Sequence, residues 1–406
     1  MVDDLAALHR RFVDGLAHRG VLASPHVETA FRSVPRHRFL PGVTGEEAYR
    51  DRVIVTKAEG GVPVSASSQP SFMAVMLQQL ALAPGHRVLE IGTGTGYNAA
   101  LMAEIVGPTG HVVSVDVDGS IAAQARVCLD AAGYRAVEVV HADGALGHAA
   151  SAPYDRVIVT VGAWDIPPAL REQLRSGGRL VIPLSIRGPQ RSIAFERVGA
   201  RLIGKSMADC DFSTSLRGDF AGPTTRLRIP GDEEVWVWFD GARDVDPATI
   251  ARRLSAPGRD RPSGHAARVG EIFGGLYLWL ALNDGGFVQV GSTGAAKLPC
   301  VLNLPGKLSM TAGLLDSSGL AVLGYGEHSG ATSLDDRRVL SVCVRGFGDD
   351  GGLGDRLIEL VSAWNEAGRP SSDGLRVTAR PVDGPYDRAP REFVVDKRWS
   401  RLVLSW

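Results

Sequence analysis

Apolar positions along this chain change their period twice. Leu5, Leu8, Phe12 and Leu16 recur at helical spacing, which predicts a helix over Asp3 to His18 with one buried face. A second helix is expected from Ser24 to Ser33, capped by Ser24 with Pro25 in its first turn. The proline-bounded segment VPRHRFLP reads as an irregular crossing, with His37 solvated or bonded to backbone. Thr56 to Ser68, rich in Gly, Ser and Ala, reads as a loop. A third helix starts near Pro70 and buries Phe72, Val75, Met76 and Leu80. Apolar strands and helical segments then alternate. RVLEI, HVVSVDVD, VEVVHADG, YDRVIVTVGAW and GGRLVIPL read as strands, IAAQARVCLDAAG and IPPALREQL as helices. That alternation predicts an α/β fold with a doubly wound, mainly parallel sheet.

From Thr225 onward the pattern shortens. EVWVWFD, LYLWLAL, GFVQV, AVLGY, VLSVCVRGF, LRVTARPV and EFVVD read as strands, with helices near PATIARRL and GDRLIELVSAWNEAG. This predicts a second, α+β domain with mostly antiparallel pairing. The expected division is residues 1–224 and 225–406, and a chain of 406 residues suits two domains. Trp236, Trp238, Tyr277 and Trp279 alternate in these strands, as core or as a surface for the first domain or a peptide. His328, in GYGEHSG, reads as a turn residue.

Composition narrows the function classes. A net charge of −1 gives no broad attraction to nucleic acid or acidic membrane. The apolar run IFGGLYLWLAL is too short to span a bilayer. MVDDLAALHRR carries acids where a secretory signal carries basic charge, so a soluble cytoplasmic protein is expected. Cys128, Cys210, Cys300 and Cys343 are scattered, which argues against a structural zinc site and a disulfide scaffold; no metal is expected.

The chemistry concentrates in RVLEIGTGTGYN. Gly92, Gly94 and Gly96 turn a strand end into a helix, and with Thr93 they let the backbone lie close to a ligand. Asp116 ends the next strand, followed by Val117; an acid there can hold both hydroxyls of a ribose. The spacing G-x-G-x-G is not the dinucleotide pattern, and the loop has no Lys or Arg, which excludes a Walker-type phosphate loop. Glu90, directly before the first glycine, suits a ligand bearing positive charge. The expected cofactor is therefore S-adenosylmethionine, which carries an ammonium and a sulfonium and no phosphate; a tight turn with no ligand is the alternative. Asp143 and Gly144, in HADG, end a strand on the same edge. They form either a plain Asp-Gly turn or an acceptor for the adenine amino group. Thr160 to Trp164 should line the pocket. Ser68 fits two roles equally by spacing: an N-cap hydroxyl, or, with the helix amino end, a receiver of an anionic substrate group.

V-P-R-H-R-F-L-P, A-Y-R-D, S-Q-P, V-L-E-I-G-T-G-T-G-Y, the D-G of HADG, P-Y-D-R-V-I-V-T and L-R-S-G-G-R-L-V-I-P-L occur in that order. Together they resemble the protein-L-isoaspartyl O-methyltransferase family, from the amino terminus to about Pro223. The resemblance implies a class I methyltransferase fold, a peptide or protein acceptor with an aspartyl or isoaspartyl carboxylate, and Ser68 at the methyl-acceptor site. It implies cofactor contacts at Glu90, Gly92, Gly94, Asp116 and Asp143. Where the family usually reads I-G-x-G-Q-T-I-S, this chain has VTKAEGGVPVSASS, and it runs on through residues 225–406. Two-part members of this kind resemble actinobacterial enzymes that tailor ribosomally made peptides. The resulting expectations are carboxyl methylation of a dedicated peptide through a succinimide, general isoaspartyl repair, or a scaffold that only binds cofactor.

Overall fold

The computed structural model describes residues 4–60, 62–212, 218–229, 232–241, 243, 245–254, 258–293, 302–303, 308–317, 319–327, 339–347 and 352–406; Cys300 and His328 lie outside them. The chain forms two compact units. The first joins Met1–Leu184, Gln190–Gly222 and Val377–Val403; the second joins Ser185–Pro189, Pro223–Arg376 and Leu404–Trp406. A single cut at 225 does not describe this arrangement, because residues 377–403 return to the first unit. Short alternating strands read alike whichever sheet they join, so periodicity could not assign them.

The first unit opens with helices α1 (Leu5–His18) and α2 (Pro25–Ser33). Asp4 caps α1 by accepting from the Ala7 N–H at 2.9 Å. Val13, Leu16, Val27, Ala30 and Phe31 bury their apolar faces in one core with Met73, Leu77 and Leu80 of α3 (Pro70–Leu80) and Leu101 and Met102 of α4 (Tyr97–Val106). Each such side chain stabilises the fold by roughly 1.5–3 kcal/mol. Helix α5 (Gly119–Ala132) follows. His37 sits in a 3-10 turn, Arg36–Phe39, partly exposed, and its Nδ1 meets the Tyr49 hydroxyl at 2.6 Å, a side-chain partner the sequence did not suggest.

The expected loop from Thr56 to Ser68 is an antiparallel hairpin of β1 (Ile54–Glu59) and β2 (Val62–Ser67). Ser65 and Ser67 are buried with the less buried Ala66 between them, and β-branched Ile54, Val55, Thr56 and Val64 supply the strand preference that composition hid.

Ten strands form the main sheet: β3 (Arg87–Ile91), β4 (His111–Asp116), β5 (Glu138–His141), β6 (Tyr154–Val159), β7 (Leu174–Ser185), β8 (Gln190–Val198), β9 (Arg201–Cys210), β10 (Arg376–Pro381), β11 (Phe393–Asp396) and β12 (Ser400–Ser405). Their order is β11-β12-β10-β9-β8-β7-β6-β3-β4-β5. β3 pairs in parallel with both β4 and β6. The chain direction across the sheet therefore reverses beside β3, and ligands bind outside the carboxyl ends of strands at such a switch point.

The second unit is an antiparallel sheet. Among the described residues its order is Thr224–Ile229, Asp232–Asp240, Phe287–Thr293, Leu308–Leu315, Leu320–Glu327, Val339–Phe347 and Gly258–Arg268. LYLWLAL, expected as a strand, lies in a helix, Tyr277–Asn283, that continues a π turn at Ile272–Leu276. Ile272, Leu276, Tyr277, Leu280 and Ala281 all enter one core. A helix apolar on several faces shows no clear period, which is why it read as a strand. Tyr277 and Trp279 are thus helical residues. No helix among the described residues is long and apolar enough to cross a membrane.

Candidate functional site

A cavity of about 390 Å³ opens at the carboxyl ends of β3, β4 and β6 and is walled on one side by the β1–β2 hairpin. That is within the range of about 300–1,000 Å³ typical of small-molecule pockets. Gly92, Thr93, Gly94, Asp116, Val117, Asp143, Gly144, Thr160, Val161 and Ser68 all line it. Two of the expected cofactor residues do not. Gly96 is the N-cap of α4 and faces Leu129 from behind the loop. Glu90 is fully buried beneath it.

The loop is shaped by close approach. Gly92 has φ +99°, and a Cβ there would lie 2.7 Å from Thr160 Oγ1 and 2.9 Å from Val161 Cγ1. No other residue adopts this conformation in this space without strain. Thr160 donates to the Gly92 carbonyl at 2.7 Å and to the Ile91 carbonyl at 3.1 Å, tying the ends of β3 and β6 together.

Glu90 has a different task from the one expected of it. Its carboxyl accepts from Asn98 Nδ2 at 2.8 Å and Ser114 Oγ at 2.6 Å. Ser114 also bonds Thr93 Oγ1 at 2.8 Å. Glu90 thus fastens β3, β4 and α4 from below. Burial raises its pKa to about 7; the bonds from Ser114 and Asn98 oppose the rise and nearby Asp116 adds to it. A carboxyl half protonated near neutrality and sealed from the cavity is a poor lure for a cation. Sequence position could not distinguish it from Asp116, since both are acids near the carboxyl ends of neighbouring strands.

Asp116 is placed as expected. Oδ2 accepts from the Gly94 N–H at 3.1 Å and Oδ1 from the Asp118 N–H at 3.0 Å. A carboxylate offers about four acceptor positions, so two remain for ribose hydroxyls. Asp143 Oδ1 accepts from the Ala145 N–H at 2.9 Å, and so the turn reading holds. Oδ2 has no partner among the described residues and lines the cavity, which leaves it available to a ligand. Val117 and Ile121 add apolar wall beside it. Among the described lining residues there is no Lys, Arg or His, and four are Asp. That donor set fits a cationic nucleoside and not a phosphate-bearing one.

At the other end Ser68 is half-buried, and its hydroxyl has no partner among the described residues. It is not the cap of α3: Gln69 holds that position and makes no side-chain cap bond. Nor does the helix end offer free amides. Pro70 has none, Ser71 N–H donates to Asp51 Oδ1 at 2.9 Å, and Phe72 and Met73 donate to the Gln69 carbonyl at 3.0 Å. The anion-receiving helix end is therefore already satisfied, and the Ser68 hydroxyl is what remains.

Sequence reading missed the residue that holds Ser68. Arg36 is fully buried, and among the described residues it is ion-paired with no carboxylate. Nη1 donates to the carbonyls of Ala48 and Arg50, each at 3.0 Å. Nη2 donates to the carbonyls of Arg52 at 3.2 Å and Ser68 at 3.0 Å, and to the Ser67 hydroxyl at 3.2 Å. Burial pushes its pKa below the ordinary arginine value. Only its position between Val34 and Phe39, in a segment of core apolar residues, hinted at this. Lys57 was missed as well. From β1 it donates to Asp118 Oδ2 at 2.6 Å and Ser120 Oγ at 3.1 Å, pinning the hairpin to the start of α5. This pairing holds the Asp118 carboxyl well below its usual range.

Fold and site together define a class I methyltransferase whose cofactor is S-adenosylmethionine. Comparison with known proteins narrows this. A sequence profile described as protein-L-isoaspartate(D-aspartate) O-methyltransferase matches residues 7–217, and the chain belongs to that family. It is 42% identical over 192 residues to the protein-L-isoaspartate O-methyltransferase of Methanothermobacter thermautotrophicus, covering 47% of this chain and 86% of that one. It is 45% identical over 161 residues to protein-L-isoaspartate O-methyltransferase 2 of Archaeoglobus fulgidus, covering 40% of this chain and 71% of that one. A solved structure titled protein-L-isoaspartate O-methyltransferase is similar at 25% identity and TM-score 0.51, covering 91% of this chain and 96% of that one. That likeness extends past the profile match into the second unit.

Proposed function

We propose that this enzyme esterifies the carboxylate of isoaspartyl residues in peptides and proteins, with Ser68 as the residue that orients the acceptor. The observation that carries the reading is the Ser68 hydroxyl, lining the cavity without a partner among the described residues while its backbone is fixed by Arg36. When bound, S-adenosylmethionine supplies an electrophilic methyl group on a sulfonium. The acceptor carboxylate is already ionised at neutral pH and needs no general base. This is consistent with the cavity holding no His, Lys or Arg among its described lining residues. Ser68 donates to one carboxylate oxygen and leaves the other free to take the methyl. Alignment and exclusion of water, with the hairpin and α3 as walls, carry the catalysis. In the ester so formed, the following backbone nitrogen attacks the carbonyl, methanol leaves, and a succinimide results that water opens to aspartyl or isoaspartyl. Gly92, Thr93, Gly94, Asp116, Val117, Asp143 and Gly144 hold the cofactor in this reading.

The family relatives support repair of damaged proteins as the biological use. A second reading, tailoring of one dedicated peptide, is favoured by the β1–β2 hairpin, which walls the cavity beside Ser68 and is latched by Lys57. Methyl transfer to matched peptides differing only in Asp or isoAsp tests both. Turnover of unrelated isoaspartyl peptides, with aspartyl controls inert, supports repair. Turnover confined to one cyclic or structured peptide supports tailoring. Methylation of neither, despite cofactor binding, would remove the enzymatic assignment in favour of a scaffold.

A further inference from the structure

A short turn, Gly218–Phe220, stands against the acid assigned to adenine. A Cβ on Gly218 would lie 3.4 Å from Asp143 Oδ2. Phe220 is buried and lines the cavity. Trp164 fixes this turn twice. Its N–H donates to the Phe220 carbonyl at 3.1 Å. Gly222, at φ +64°, lies so close that a Cβ would meet Trp164 Cγ at 2.2 Å. Trp164 is in turn held by the returning segment. Lys397 Nζ donates to the Trp164 carbonyl and stands 4.9 Å from the ring centroid, a cation over an indole. Asp165, the next residue, is fully buried, and its carboxylate accepts from the N–H groups of Ile166 at 2.7 Å and Trp399 at 2.6 Å and from the Ser400 hydroxyl. Buried carboxylates persist only with such partners, so the corner cannot shift without losing them.

We propose that Gly218–Phe220 is the outer wall of the adenine end of the cofactor cleft and that the turn at residues 397–400 holds it in place. The proposal rests on the reading of Asp143 as the adenine partner. Phe220 touches the nucleoside; Trp164, Lys397 and Ser400 are positioning residues that act through it. This gives the returning segment a role in cofactor retention, separate from the acceptor end at Ser68.

Calorimetry of the full chain with S-adenosylhomocysteine tests it. Phe220→Ala should weaken binding about tenfold, and Ser400→Ala and Lys397→Met about three- to tenfold. Phe220→Ala combined with Ser400→Ala should bind no more weakly than Phe220→Ala alone, because a support has nothing to act through once the wall is gone. Ser400→Thr should bind as the wild type does. If Lys397→Met fails to fold, the Ser400 and Phe220 cycle decides. Unchanged affinity in Phe220→Ala, or losses that multiply in the double variant, overturns the proposal. Asp143→Ala separates the two layers. Weakened binding there with Phe220→Ala unaffected sinks the wall alone, whereas wild-type affinity in Asp143→Ala sinks the adenine assignment and the wall with it.

Discussion

The two ends of the cavity are built in opposite ways. At the cofactor end the polar groups are tied to one another before any ligand arrives: Asp116 to the Gly94 and Asp118 amides, Glu90 to Asn98 and Ser114, Thr160 to the Gly92 carbonyl. At the Ser68 end the backbone is tied, and the side chain has no partner among the described residues. Arg36 donates to the Ser68 carbonyl at 3.0 Å. A ligand that is the same in every turnover rewards prior organisation.

Perturbing each end should break this contrast in order of size. Gly92→Ala places a methyl within 2.7 Å of Thr160 Oγ1 in a conformation suited to glycine, and should weaken cofactor affinity by roughly a thousandfold while lowering the melting temperature. Calorimetry and thermal unfolding would show both; near-normal binding would mean the loop is not tightly preset. Asp116→Asn keeps the shape but removes the charge, and a cost of about 1.5–3 kcal/mol predicts a 10- to 100-fold weaker cofactor Kd. Ser68→Ala should lower kcat about tenfold with cofactor Kd within about twofold. A fall in cofactor affinity instead would move Ser68 to the other end of the comparison.

Glu90 gives the most diagnostic effect, read in stability and not in affinity. Its folded pKa, about 7, is raised above the ordinary value of 4.5. The folded state therefore holds a proton that the unfolded chain has already released between these values. The stability Glu90 contributes is complete below pH 4.5 and declines as pH rises toward 7. Urea unfolding of wild type minus Glu90→Gln should show this decline, at most about 3 kcal/mol, between pH 4.5 and 7 and a flat difference above. A difference that grows with pH would return Glu90 to the role of an exposed cofactor anion.

The cofactor edge was legible because strand-ending acids and closely spaced glycines leave a local signature, and Asp116, Asp143, Gly92 and Gly94 all line the cavity. The exception, Glu90, shows what such a signature omits: alternation marks a strand but not which of its polar residues meets solvent. Ser68 was ambiguous for a related reason, since its use depended on whether Asp51, 20 positions before Ser71 in sequence, already filled the helix end. Arg36 and the 397–400 turn act only through long-range contacts, with Ser67 and Ser68 in one case and Asp165 in the other, and no window of sequence contains both partners. The second unit was readable as antiparallel strands but not in its helix at Tyr277–Asn283, where uniform apolarity erased the period.

The return of residues 377–403 to the first unit has a consequence for biosynthesis. A ribosome releases Ser68, the glycine loop and Asp165 early, yet the hydroxyl and amide that satisfy Asp165 emerge only after the whole intervening segment has been made. Until then the nascent methyltransferase carries an unsealed corner. An excision that joins residue 222 to 377 through a linker would therefore be a fairer trial of autonomy than a stop codon at 225.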